Sequence, residues 1–499
     1  MSVTADNSIL DNLCRINQQF DDLFLLANPF FRLTKPTSEN LIKYKDYKQD
    51  RMKFRTLNNF MRFPLTAFLQ SIWNILLSLV TPWEWFPKQV LEKQSYEILG
   101  ISQITSPHPI FEVDPLLGQI PMLLNQNKDL AMFYLNGTRI SRSALRELLV
   151  SQSFLNVIVN SKTLSPIETA YVLLVNFKAS MSLLRIAIKD TELSSEQIYL
   201  LSEGLIHQFK RPTYANLVLL QRLIKILEKQ NIKKIFFTLE GHAHEAMVMT
   251  LLNTSFPHVK IKAIQHAPIV SSQSGYFENL LLLKESDSIL CTGEIPKEFT
   301  SIYLEKNKIG CRDVQIVGST KNQHMDLIDR ATHSTGQDSI LFLPEGTENS
   351  TLEFLDLLHS IAPKFPALKF VIRLHPATRT SVRVRTILKK TLSTNAVVSD
   401  LPLVSDLQSA KYCVYRGTAA AIEGLAYGAI PIHYNTNPLF NLDPILSQKL
   451  KHPAAATHEQ LEEIIRKISV SDLDLSFDTA SLTEYFSKYF APLNTAAFE

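Results

Sequence analysis

The chain has 499 residues, 45% hydrophobic and 20% charged, the balance of a folded protein with a large core and room for about two to four domains. A formal net charge of +3 excludes the broad basic field of a nucleic-acid binder, so any anion must be held locally. The four cysteines (Cys14, Cys291, Cys311, Cys413) show no C-x-x-C spacing, which argues against a zinc site or a disulfide framework and fits a reducing cytosol.

The opening stretch, "MSVTADNSILDNLC", is acidic and lacks the order of a signal peptide. Between Lys43 and Arg62 the basic residues Lys43, Lys45, Lys48, Arg51, Lys53, Arg55 and Arg62 outnumber Asp46 and Asp50. No charge then appears from Phe63 to Trp83, and the apolar run closes on Trp83, Trp85 and Phe86. Three readings stay open for Phe63–Trp85: an interfacial helix on an anionic membrane, a buried core helix, or a short span weakened by Pro64, Gln70 and Asn74.

From about residue 125 short apolar runs alternate with helical patterns. Strands are expected at Leu130–Leu135, Leu155–Asn160, Lys233–Leu239, Val259–Gln265, Ser288–Thr292 and Val314–Gly318, then at Ser339–Pro344, Lys369–Leu374, Ala396–Ser399, Tyr412–Tyr415 and Ile430–Tyr434. Helices are expected at about Ser165–Ile188, from a capping box at Ser194–Gln197, at Tyr214–Gln230, Ala243–Asn253, Asn349–Lys364, Thr380–Thr391 and Thr418–Tyr427. Near-continuous apolar strands between amphipathic helices predict an α/β fold of two doubly wound parallel sheets, joined through the polar stretch Asp329–Asp338. Ligands of such sheets sit at the carboxyl ends of strands, so polar residues there are the candidates.

Four strand ends qualify. In "FFTLEGHAHEA" the strand delivers Glu240, with Gly241 for a tight turn and His242, His244 and Glu245 entering the next helix. Glu240 suits a general base whose pKa partial burial would raise, or alternatively a helix cap or lysine partner. His242 and His244 are two apart, which is not the helical metal spacing. In "AIQHAPI" His266 reaches the same edge and could hold a sugar hydroxyl or a phosphate. "VIRLHPATR" ends a strand in Arg373 and His375 with Pro376 as a stop, which reads as a phosphate site, with His375 also able to donate a proton to a leaving phosphate. "YCVYRGTAAAIEGLAYGAIPI" turns through Arg416 and Gly417 into a helix beginning at Thr418, whose hydroxyl and N–H groups suit an oxyanion, with Glu423 placed for a ribose hydroxyl.

The phrases "RLHP" and "DLQSAKYCVYRGTAAAIEGLAYGAIPI" resemble the nucleotide-sugar half of GT-B glycosyltransferases, over roughly residues 230–440. The likeness is to bacterial surface-polysaccharide enzymes, above all the sialyl-, polysialyl- and Kdo transferases that use CMP-sugars. Their acidic-Gly, His-Pro and hydroxyl motifs are matched in order by Glu240-Gly241, His375-Pro376 and Thr418. The chain departs from them at Leu239, where a second acid often stands, and at Gly417, where another hydroxyl does.

The resemblance implies a GT-B-like fold: a helical N-terminal segment over 1–95, a Rossmann-like acceptor domain over 96–328, a Rossmann-like nucleotide-sugar domain over 329–475, and a C-terminal helix over 476–499. It implies a metal-independent glycosyltransferase without cofactor, in which Glu240 is the base, and His375, Arg373, Arg416, Gly417, Thr418 and Glu423 hold the donor. His242 and His266 would hold the acceptor or sugar. The one D-x-D near a strand end, Asp472-Leu473-Asp474, falls in a late stretch. Implied partners are a nucleotide-sugar, a glycan or lipid-linked acceptor, and an anionic membrane surface, with no nucleic acid. The implied location is cytoplasmic, peripheral at the inner face of the membrane. The alternatives are a glycerophosphate or ribitol-phosphate transferase using a CDP-alditol, and a non-catalytic scaffold of the polysaccharide machinery.

Overall fold

The computed structural model describes residues 49–80, 95–104, 114, 116–124, 130–136, 156–159, 164–189, 195–270, 274–311, 313–319, 339–388, 392–436, 441–446, 449–470 and 479–498. The polar stretch Asp329–Asp338, the Ser194 cap, Cys14, Trp83, Trp85, Phe86 and the Asp472-Leu473-Asp474 triplet lie outside the described residues.

Two parallel sheets organise the chain. The first runs β1 (Ile98–Ile104), β2 (Leu130–Asn136), β3 (Asn156–Val159), β4 (Lys234–Thr238), β5 (Lys260–Ile264), β6 (Ser288–Cys291) and β7 (Asp313–Ile316), in the spatial order β3-β2-β1-β4-β5-β6-β7. The second runs β8 (Ser339–Leu343), β9 (Lys369–Ile372), β10 (Ala396–Val398), β11 (Tyr412–Tyr415), β12 (Ile430–Tyr434) and β13 (Ala454–Ala455), in the order β10-β9-β8-β11-β12-β13. Both orders reverse once, between β1 and β4 and between β8 and β11, and such a switch point opens a crevice at the strands' carboxyl ends. The fold is thus α/β and GT-B-like, two Rossmann-type sheets whose carboxyl ends line one cleft.

Among the helices, those that matter below are α1 (Gln49–Val80), α2 (Pro166–Lys189), α3 (Ser195–Gln208), α4 (Arg211–Lys229), α5 (Ala243–Ser255), α6 (Glu348–Ile361), α7 (Ala420–Ala426) and α8 (Thr479–Tyr489). The sheet strands are buried because helices cover both faces: Leu217, Leu220, Leu223 and Leu227 of α4 pack on the first sheet, and Phe354, Leu355 and Leu358 of α6 on the second. Within the second core, Phe342 meets Phe354 edge to face at 6.2 Å.

The chain crosses back at its end. Helix α8 packs among Leu425, Leu407 and Ile445, and the segment after it then joins the first sheet. The Ala491 N–H donates to the Thr292 carbonyl at 2.8 Å, Asn494 to Val317 at 2.7 Å, and Phe498 sits edge to face on Phe236. The Tyr489 hydroxyl accepts the buried Ile269 N–H at 3.0 Å. Tyr489→Phe leaves that N–H without its acceptor and is expected to destabilise by about 1–3 kcal/mol, read as a lower urea midpoint at unchanged slope.

Candidate functional site

Strand β4 is buried along its length from Ile235, and the chain leaves it through Leu239, whose N–H still donates to the Ile264 carbonyl. Glu240 is therefore delivered at the switch point of the first sheet. Gly241 adopts φ +88°, and a Cβ there would stand 2.3 Å from the Tyr276 nitrogen, so only glycine passes. The turn is shaped by Glu245, which is fully buried. Its carboxylate accepts the N–H groups of Glu240 (3.0 Å), Gly241 (2.8 Å) and His242 (3.0 Å), and the Asn279 side-chain amide (3.0 Å). Glu245, not Glu240, thus satisfies the open N–H groups ahead of α5.

The Glu240 side chain instead meets two imidazoles. Its Oε1 lies 2.9 Å from His266 Nδ1, and its Oε2 lies 3.5 Å from His242 Nε2. Burial pushes the Glu240 carboxyl up, but His266 and His242 outweigh burial and hold it well below the usual carboxylate range. This reverses the expectation of a raised base: the carboxylate is ionised. Burial lowers His242, but Glu240 and Glu245 together bring it up to about 9. Behind them, burial and His242 push His244 down to about 3. Burial raises Glu245 to about 7, against the N–H donors and His242, which pull it the other way. The first two side chains differ in access, since His242 is 42% exposed and His266 only 10%.

In the second sheet, β9 stops at Ile372 and the Arg373 N–H donates to the Phe342 carbonyl. The Arg373 guanidinium turns to Asp406 at 2.7 Å and to the Leu401 carbonyl. His375 is exposed, and its Nδ1 accepts the Ala377 N–H at 3.2 Å, which puts the proton of the neutral ring on Nε2. Gly346, from the end of β8, lies against that ring: a Cβ there would stand 3.0 Å from it. Arg416 follows β11, its Nε donating to Glu345 at 2.7 Å and its Nη1 to Glu353 at 3.1 Å. The Arg416 carbonyl accepts from His433 at 3.0 Å, so the turn before Gly417 is tied down from below. Both arginines thus reach the site already engaged with carboxylates. The helix expected from Thr418 begins at Ala420 and lasts seven residues, and the Thr418 hydroxyl oxygen accepts the Ala420 N–H at 3.4 Å.

Glu240, His266, His375 and Glu423 line one cavity of about 460 Å³ between the sheets, together with Thr292 and Ser319. Arg373, Arg416, Gly417 and Thr418 are not among its walls; they follow the ends of β9 and β11. A smaller cavity of about 130 Å³ shares Glu240 and adds His242, His244, Ser102 and Gln103. The structure thereby separates the two histidines expected to bind acceptor, with His266 in the larger cavity and His242 in the smaller.

Glu345 and Gly346 escaped the sequence analysis. Their signal was present: "FLPEGT" repeats the strand-then-Glu-Gly ending of "FTLEGH", once in each sheet and each time at the switch point.

No protein-family model matches the chain, and no curated protein matches it in sequence. Solved structures that resemble it include an alpha,alpha-trehalose-phosphate synthase (UDP-forming) from Burkholderia vietnamiensis, 12% identical over 79% of this chain and 95% of that one, with a TM-score of 0.42. S. aureus MnaA, solved with UDP, is 10% identical over 81% and 93%, with a TM-score of 0.45. The UDP-GlcNAc 2-epimerase from Methanocaldococcus jannaschii is 10% identical over 78% and 98%, with a TM-score of 0.42. Likenesses this distant fix neither an activity nor a substrate for this chain.

The histidine–carboxylate cluster makes stability depend on pH in a definite direction. His242 sits above its unfolded value of 6.5, so the stability it contributes is complete below about pH 6.5 and is lost as pH rises through about 9. Glu240 sits below its unfolded value of 4.5, so its contribution is present above that and is lost as pH falls. The melting temperature of His242→Gln should therefore fall less than that of the native chain between pH 6.5 and 9, measured by scanning calorimetry.

Proposed function

We propose that the cleft transfers a sugar from a nucleotide-activated donor to an acceptor hydroxyl. One observation carries the proposal: an ionised carboxylate from one sheet, Glu240, and an imidazole from the other, His375, line the same cavity at the strands' carboxyl ends. Glu240 takes the acceptor proton, directly or with His266 relaying it, since His266 Nδ1 stands 2.9 Å from Glu240 Oε1. His375 presents Nε2–H to the departing phosphate, where preformed donors act most strongly on developing charge. Arg416, held by Glu345 and Glu353, and Arg373, held by Asp406, fix the two loops that border the phosphate site. Glu423, on α7, lines the cavity, and in this reading it takes a donor hydroxyl. No metal or cofactor is assigned a role in this scheme. The motif order Glu240-Gly241, His375-Pro376, Thr418 favours a CMP-sugar donor and a glycan or lipid-linked acceptor of surface polysaccharide, in the cytoplasm.

Two substitutions test this. Glu240→Gln keeps the shape and removes the basicity, so turnover should fall roughly 100-fold or more while nucleotide affinity stays within about twofold. His375→Ala removes a hydrogen bond to a charged group and should weaken nucleotide binding by roughly 10- to 150-fold. Calorimetric titration with CMP, CDP, UDP, GDP and dTDP, with turnover followed by nucleotide release, reads both. Near-native turnover in Glu240→Gln would remove the carboxylate from the chemistry. CMP binding without turnover on any sugar donor would favour a scaffold.

A further inference from the structure

Helix α1 is turned inside out. Residues advance about 100° around a helix, so Phe63, Ala67, Asn74 and Ser78 share one arc, and that arc is the buried one. Phe63 meets Phe209 edge to face at 5.7 Å, and at the helix flank Asn59 donates to Glu203 at 2.8 Å. The opposite arc carries Met61, Leu65, Phe68, Trp73, Leu76 and Leu79, each at least 50% exposed. A soluble monomer leaves patches of only about 300–600 Å² of apolar surface bare, and a continuous stripe of large side chains over five turns exceeds that.

Helix α2, against which α1 packs, continues the pattern. Its Ile167 is 84% exposed, and Tyr171, Leu174 and Phe177 are also open to solvent. By length and composition Pro166–Arg185 could cross a bilayer, but its other face belongs to the protein. Thr169, Asn176 and Ser180 are buried there, and Asn176 and Gln208 join through their side-chain amides at 2.6 Å. Neither helix can leave the domain without stranding these polar groups, so the pair is built to lie on a surface and not to pass through one.

Charge says which surface. Residues 56–80 contain no acid, and Arg62 stands exposed. Lys178 and Arg185 are exposed on α2, and Glu168, that helix's one acid, is engaged by Lys225. The sequence from Lys43 to Arg55, which runs into the first turns of α1, is basic as well. A second copy of the chain would bring these like charges together, whereas anionic headgroups neutralise them.

We propose that the exposed faces of α1 and α2 dock on an anionic phospholipid surface. This assignment is independent of the chemistry in the cleft. The test uses the full chain with phosphatidylcholine vesicles, with and without phosphatidylglycerol, in a flotation assay. Binding should require the anionic lipid, weakening about tenfold or more without it, and should fall as salt rises. The combined Leu65→Gln, Phe68→Gln, Leu76→Gln chain should lose about tenfold or more in partitioning while keeping its melting temperature, because these side chains are already exposed. In a Trp83→Phe, Trp85→Phe background, Trp73 emission should shift to the blue on anionic vesicles. Binding that ignores lipid charge, or no binding at all, overturns the proposal. So does a native dimer by light scattering that the triple substitution turns into a monomer, which would make this face a contact between copies.

Discussion

A buried carboxylate decides where the candidate base points. Glu245 gathers three successive N–H groups and so fixes the Glu240-Gly241-His242 turn from inside the protein. With the backbone spoken for, the Glu240 side chain is left to the histidines and the cleft. Everything proposed for the cleft depends on this division of labour between two acids five residues apart. It also explains the charge state: with imidazoles on both sides, the Glu240 carboxylate stays ionised despite its burial.

Much of the architecture was legible because buried parallel strands announce themselves as apolar runs. Two strands did not: β13, only two residues long, and β1, which lies inside its sheet beside the switch point. Gly100 interrupts it because Met132 and Phe236 press on it from neighbouring strands, where a Cβ would stand 2.3 and 2.6 Å away. Ser102 breaks the run again because it sits near the carboxyl end and donates to buried Asp114. Arg373 and Arg416 were legible as cations at strand ends, but not as members of ion pairs. Their acids, Asp406, Glu345 and Glu353, lie 33, 71 and 63 residues away in sequence, and only the fold brings them together. The late start of the helix after Thr418 was hidden because a run of alanines favours helix at every one of its positions and so marks no start.

The same distinction applies to α1. Its sequence reads as an apolar helix beside a basic run, which left a core helix, a surface helix and a span all open. Composition could not choose between them because both arcs contain large apolar residues. Packing chooses, since the arc with Asn74 and Ser78 is the one against the domain. The cleft and this outer face draw on the same physics from opposite sides: polar groups are kept where partners exist, and apolar ones are left for a partner still to come.

The central claim is that one ligand bridges the two sheets, with its phosphate at His375 and its reacting carbon toward Glu240. A crystal structure of the chain soaked with CMP tests it most directly. The account predicts phosphate density within hydrogen-bond distance of His375 Nε2, inside the cavity that Glu240 also lines. A CMP phosphate bound away from His375, or an empty cavity at saturating nucleotide, would contradict it.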